Sequence, residues 1–262
     1  MVVAAGNQGR NNSANTSGYS TITAPGNDPY VITVGAMKTE GTASRSDDLI
    51  ASYSSKGPTL FDHIVKPDLV APGNQIVSIL GDGTLPNLYQ SNKTDSAYFV
   101  LSGTSMATPM ASGAAALLLQ QNPKLTPDQV KARLMKTAYK SFPVSSVATD
   151  PTTGLQYTSY YDIFTVGAGY LDVLAALTST DTATGTALSP VATYNAANGT
   201  VSISNIAGQS VIWGTSILWG TSIIWGTNVV TGTNLIWGTN LIWGTSSTSA
   251  VESTSIAIAG EK

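Results

Sequence analysis

The sequence predicts an α/β domain followed by a repeat-bearing tail. Three observations predict it. Short apolar runs bounded by Gly, Pro and Asn read as buried strands. Helical signals follow them, one set after Gly103 and another at Thr126, and strands mixed with helices mark an α/β architecture. Beyond about residue 178 the composition turns to Thr, Ser and Ala and then to a hexapeptide repeat.

The first strand is Val2-Val3-Ala4-Ala5, ended by Gly6-Asn7; a polar loop then runs from Gln8 to Thr21. Val31 to Ala36 is a second buried strand, and Ala51 to Ser54 a third, shorter one. Asp68 to Ala71 and Gln75 to Leu80 are two more, split by the turn Pro72-Gly73. From Ser105 to Gln121 the chain has no charge and is small or apolar nearly all round, which predicts a helix buried in the middle of a domain. Pro109 denies the Ser105 carbonyl its helical partner, so the regular helix is expected to begin close to it. A second helix has an N-cap at Thr126, Pro127 in the first position and Gln129 completing a capping box. Val130, Leu134 and Ala138 then share its inner face. A last helix spans roughly Val173 to Leu177.

The expected organisation is a domain over residues 1–178, a Ser/Thr/Ala-rich linker over 179–208, and a tail over 209–262. In the tail, Trp-Gly-Thr hexapeptides begin at Trp213. Six is even, so an extended chain puts Trp213, Thr215, Ile217 and Trp219 on one face and Gly214, Ser216 and Leu218 on the other. Hairpins, one strand layer and a short coil all remain open for it.

Composition narrows the function. Charged residues make up 10% of the 262, against roughly 25% in an average globular chain. A net charge of −3 with no basic run argues against a nucleic-acid partner. The absence of Cys excludes a disulfide framework and thiolate metal sites. No apolar stretch is long enough to span a membrane, and no signal peptide is present. Low charge, no Cys and abundant Ser, Thr and Asn suit a secreted bacterial protein.

The chemistry centres on Gly103-Thr104-Ser105-Met106-Ala107-Thr108-Pro109-Met110-Ala111-Ser112-Gly113. Gly103 permits a tight turn, and Ser105 stands where an uncharged helix begins. The helix N-terminus supplies free N–H groups and a positive dipole end, both suited to a developing oxyanion. The plain alternative is that Ser105 merely caps the helix.

Gly-Thr-Ser-Met-Ala-x-Pro resembles the nucleophile motif of the subtilisin-like (S8) serine peptidases. Four further segments resemble that family in its own order: Val3 to Asn7, Pro29 to Ala36, Lys66 to Gly73 and Gly167 to Val173. The resemblance covers residues 1 to about 178 and implies a three-layer α/β fold with a mainly parallel sheet and helices on both faces, incomplete at the N-terminus. It implies Ser105 as the nucleophile for peptide-bond hydrolysis, with the Asn7 amide and the Ser105 N–H as oxyanion donors. It also implies that Ala4, Ala5 and Gly6 wall the pocket for the substrate residue before the cut, with Thr23 near its floor. The substrate class implied is a protein or peptide. No cofactor is implied; a structural Ca2+ on oxygens of Gly26, Asp28 and Val31 is the one candidate cation, since a comparable loop holds one in some relatives. A sedolisin-like peptidase is a close alternative, but Asn7 stands where that family uses Asp for the oxyanion.

In the family the catalytic Asp and His precede the oxyanion Asn, and this chain starts six residues before Asn7. His63, the only histidine, sits in a loop unlike the family's His motif, and Asp82-Gly83-Thr84 lies on the wrong side of Asn7. Asp68 falls in a structural segment. The expectation is a peptidase fragment, poorly soluble and nearly inactive alone, whose partner is the missing N-terminal half of the same domain. The competing expectation is a non-catalytic surface module that binds through its Trp-Gly-Thr repeats.

Overall fold

A computed structural model of the chain describes residues 1–11, 16–81, 83–151, 153–195, 200–203 and 255–261. Asp82 and the Trp-Gly-Thr repeats lie outside the described residues. In chain order the strands are β1 (Val2–Ala4), β2 (Ile32–Lys38), β3 (Leu49–Ile50), β4 (Leu69–Pro72), β5 (Ile76–Ile79), β6 (Tyr98–Leu101), β7 (Ser145–Thr149), β8 (Gln156–Tyr160), β9 (Ala192–Asn195) and β10 (Thr200–Ile203). The helices are α1 (Leu85–Leu88), α2 (Thr104–Gln121), α3 (Pro127–Thr137), α4 (Ile163–Val166) and α5 (Val173–Thr178). A further helical turn covers residues 255–259.

The central sheet is parallel where it matters. β2 lies between β1 and β4, parallel to both, with Val34 opposite Ala4 on one side and Leu69 on the other. β3 adds a short antiparallel pairing at the end of β2. The two-residue period of a strand then sorts the core. Ile32, Val34 and Ala36 of β2, with Leu69 and Ala71 of β4, pack against α2 in the larger cluster. Met37 and Val70 face the other way, toward Tyr161, Val166 and Tyr170.

Several expectations need correction. Ala51 to Ser54 is a turn rather than a strand, closed by the Ser54 N–H on the Ala51 carbonyl at 2.9 Å. β6 went unforeseen; it pairs antiparallel with β5, which lies about twenty residues earlier in the chain. α2 starts at Thr104, so Pro109 sits inside the helix and does not delay its start. Helices lie on both faces, unevenly: α2, α3 and α5 pack together on one, and the other carries the single turn α4 within the 139–170 segment.

Nor is α2 buried all round. Thr104, Ala107, Ala111, Ala114 and Leu118 form one buried stripe, whereas Met110, Leu117 and Leu119 are 37%, 43% and 41% exposed. Among the described residues the sheet covers one side of this helix and leaves the other to solvent. The capping box on α3 does form: Thr126 Oγ1 accepts from the Gln129 N–H at 3.2 Å, and Gln129 Oε1 from the Thr126 N–H at 3.0 Å. Within the stretch read as a linker, Ala187, Ser189 and Ala192 are buried. Ala187 joins the core, and β9 and β10 form a hairpin.

Candidate active site

The site is a corner where the end of β1 meets the start of α2. After β1 the chain turns at Gly6, whose φ is +108°, and delivers Asn7 to the helix N-terminus. Asn7 Oδ1 accepts from both the Thr104 N–H (2.9 Å) and the Thr104 hydroxyl (3.0 Å). The Thr104 hydroxyl in turn accepts from the Gly6 N–H at 3.1 Å. One carboxamide oxygen thus ties strand end to helix start across nearly a hundred residues of sequence.

Those bonds orient the rest of the amide. With Oδ1 turned to Thr104, Nδ2 faces Gly103, and a Cβ added to Gly103 would lie 3.0 Å from it. Gly103 also holds φ at +142°, a conformation that L side chains rarely adopt. Both facts favour glycine there. Ser105 follows as the second helical residue and is exposed. Among the described residues, neither the Ser105 N–H, nor its hydroxyl, nor Asn7 Nδ2 has a hydrogen-bond partner. Two donors on rigid elements, left unpaired where the strand end meets the helix start that bears an exposed hydroxyl, suit an oxyanion.

Sequence reasoning brought Asn7 and Ser105 together and missed Thr104. Its only signal was its place between Gly103 and Ser105. Ser105 does not cap the helix; the N-cap is Gly103, which has no side chain to give. Ala4 and Gly6 are half-buried and Thr23 is exposed. Thr23 Oγ1 would lie 3.3 Å from a Cβ on Gly6, which brings those two positions together. The Ala5 side chain is fully buried, leaving the expected pocket wall to its neighbours. Beside Met106 opens a cavity of about 340 Å³, walled by Ile76, Phe99 and Leu101 of the β5–β6 hairpin and by Leu85 of α1.

His63 stands elsewhere. Its carbonyl accepts from the Ala192 N–H at 2.8 Å, its neighbour Ile64 bridges to Val191, and no hydrogen bond joins it to Ser105. Burial lowers its pKa against the opposing pull of Asp62.

Asp68 is wholly buried and saturated. Oδ2 accepts from the Thr33 N–H at 2.7 Å and from Lys66 Nζ at 2.8 Å; Oδ1 accepts from Ser189 and lies 3.1 Å from Lys131 Nζ. Burial pushes its carboxyl up, but the Lys131 and Lys66 ammoniums and the bonds from Lys66 and Ser189 outweigh it and hold the pKa below the usual range. This cluster also bears on the candidate cation. The Val31 carbonyl accepts from Lys66 Nζ at 3.1 Å and from Lys131 Nζ at 2.9 Å, while the Gly26 carbonyl accepts from Thr33 Oγ1 at 2.7 Å. Two ammoniums thus occupy the Val31 oxygen, which does not suit a Ca2+ ligand at that position. Among the described residues no group of three or more His, Cys, Asp or Glu could hold a metal ion, and no helix is long and apolar enough to cross a membrane.

Residues 1–202 match the peptidase S8 (subtilase) family. Over 135 residues the chain is 49% identical to serine protease AprX of Bacillus subtilis strain 168, covering 51% of this chain and 29% of that protein. Over 141 residues it is 37% identical to subtilisin-like protease SBT4.13 of Arabidopsis thaliana, covering 53% of this chain and 18% of that one. Among solved structures, fervidolysin from Fervidobacterium pennivorans, described as a keratinolytic enzyme related to subtilisin, aligns with a TM-score of 0.43 at 26% identity. That alignment covers 68% of this chain and 22% of fervidolysin. The matched stretch is thus less than a third of the length of each of these relatives.

Proposed function

Because the chain belongs to the subtilase family, we propose that it carries the nucleophile half of a serine endopeptidase site. Ser105 attacks the scissile carbonyl, and the Asn7 amide and the Ser105 N–H receive the charge that develops on its oxygen. The observation that carries this reading is the pair of unspent donors beside the exposed Ser105 hydroxyl. Ala4, Gly6 and Thr23 offer the surface for the substrate residue before the cut. The apolar cavity at Met106 suits a side chain close to the scissile bond on the nucleophile's other flank.

A serine hydroxyl needs a base to take its proton. No histidine other than His63 is present in the chain, and His63 serves a loop remote in bonding from Ser105. We assign the base to the N-terminal half of the same domain, acting as this chain's partner. Two features fit such a partner. Among the described residues β1 pairs with β2 alone, so its outer edge is open. Around α2, Met110 and Leu117 are exposed on one flank of the buried stripe and Leu119 on the other, and a Cβ on Gly113, between the flanks, would meet nothing within 4 Å. An open strand edge and an uncharged, uncovered helix face are surfaces that another part of a domain can cover. Low charge, no Cys and abundant Ser, Thr and Asn support a place outside the cell.

The test joins the chain to the upstream half carrying the Asp and His. A fluorophosphonate probe is expected to label that protein on Ser105, and Ser105→Ala to abolish labelling. Labelling that survives Ser105→Ala, or its absence from a folded, complemented protein, contradicts the reading.

A further inference from the structure

Residues 255–261 return to the domain after the long stretch beyond Ile203, and they are held as a recognised peptide is held. Ile256 is 3% exposed and belongs to the larger core cluster. The Ser102 N–H donates to the Ala257 carbonyl at 2.9 Å, and Asn92 Nδ2 donates to the Ile258 carbonyl. Asn74 then grips Glu261 by its backbone in both directions: Nδ2 donates to the Glu261 carbonyl at 2.7 Å, and Oδ1 accepts from the Glu261 N–H at 2.8 Å.

The side chain of Glu261 is read as closely. Its Oε2 accepts from the Ser52 N–H at 2.9 Å, from the Ser52 hydroxyl, and from Arg10 Nη2 at 3.1 Å. Arg10 is itself positioned by a bond from its Nε to Ser52 Oγ at 2.7 Å and by an ion pair with Asp150. Lys38 Nζ stands 3.9 Å from Oε1. The residue before is read by exclusion. Gly260 has φ +68°, and a Cβ there would come 2.6 Å from Ser102 Oγ and 3.0 Å from Gln75 Cγ. Any side chain at that position is resisted both by its backbone and by its neighbours.

We propose that the groove formed by Asn74, Ser102, Asn92, Ser52 and Arg10 is a peptide-binding site for an acidic segment of the form Ile-x-x-x-Gly-Glu, filled in cis by residues 255–261. The aliphatic residue anchors it, the glycine passes a gate too narrow for a Cβ, and the carboxylate is paired with a buried guanidinium. The stretch 204–254, which bears the Trp-Gly-Thr repeats, is thereby attached to the domain at both ends. The inference stands independently of the peptidase reading.

The full-length chain tests it, with a fluorescent synthetic peptide of residues 253–262 as probe. In the wild-type chain the site is filled, so the probe does not bind and carboxypeptidase does not trim past Glu261. Gly260→Ala is expected to release the segment, to speed trimming past Glu261 by about tenfold or more, and to let the native probe bind in trans. A probe carrying the same Gly→Ala change, or Glu→Gln at the acidic position, is expected to bind at least about tenfold more weakly. Equal trimming of the two chains, or a folded Gly260→Ala chain that ignores the native probe, overturns the proposal. Should Gly260→Ala unfold the domain, amide exchange in the wild-type chain decides. The Ser102 and Glu261 amides are expected to exchange together and faster than Val34 and Ala36 in the central strand. Exchange at the rate of that strand makes the segment an integral part of the core and overturns the proposal.

Discussion

Two polar centres lie on either side of β2, and they treat hydrogen bonds in opposite ways. Around Asp68 every oxygen is taken: the Thr33 N–H, Ser189 and the two ammoniums of Lys66 and Lys131 converge on a carboxylate with no exposure. At the Asn7 corner the amide is divided. Its oxygen is committed to Thr104, while its nitrogen, like the Ser105 N–H and hydroxyl, is left without a partner among the described residues. A saturated buried cluster holds the fold together, and donors left over on rigid elements are available to a reacting group. Residue type alone does not separate the two; the pattern of spent and unspent bonds does.

The comparison breaks most visibly at Asp68. Asp68→Ala strands two ammoniums in a dry site, which typically costs about 3–5 kcal/mol. Denaturant unfolding is expected to register that loss. Ser105 in the fraction that remains folded, once complemented, is expected to react with a fluorophosphonate at the wild-type rate. An unchanged midpoint would mean that the cluster contributes nothing to the fold.

A smaller effect sharpens the same contrast through pH. Lys140 donates to the Met135 carbonyl at 2.7 Å and to the Ala168 carbonyl, and desolvation lowers its pKa from 10.5 to about 7. Between those values the unfolded chain holds a proton that the folded chain has lost, so stability rises as pH climbs from about 7 toward 10. Lys131, lowered to about 8 by burial, adds to the rise from there. Above about pH 10 the buried tyrosines Tyr53 and Tyr170, whose pKa values burial raises, turn the slope downward. Lys140→Met is expected to flatten the rise between pH 7 and 8 in thermal melts, and a slope unchanged by it contradicts the assignment.

What could be read in the sequence was what local chemistry decides. The capping box at Thr126 and Gln129 forms because its partners are three residues apart. The strand at Ile32 was legible because it is buried on both faces and therefore apolar throughout. The pairing of Ser105 with Asn7 came through resemblance alone, since nothing local links positions so far apart. The Lys131 ammonium on Asp68 was not legible, because the contact depends on how α3 docks. The outward face of α2 was misjudged for a related reason. An uncharged sequence says that a helix can be covered all round, and only the tertiary arrangement says which stripe the described residues cover. β6 escaped notice because its partner β5 lies about twenty residues earlier in the chain.

The most direct test of the divided amide is Asn7→Asp in the complemented protein. The new carboxylate retains an acceptor for the Thr104 N–H and hydroxyl but has no N–H to offer. Tm is expected to stay within a few degrees of wild type while kcat falls by about 10²–10³-fold, the loss known for removal of an oxyanion asparagine in subtilisin. An Asn7→Asp enzyme with undiminished kcat would contradict the account, because the nitrogen beside Ser105 would then have no part in the reaction.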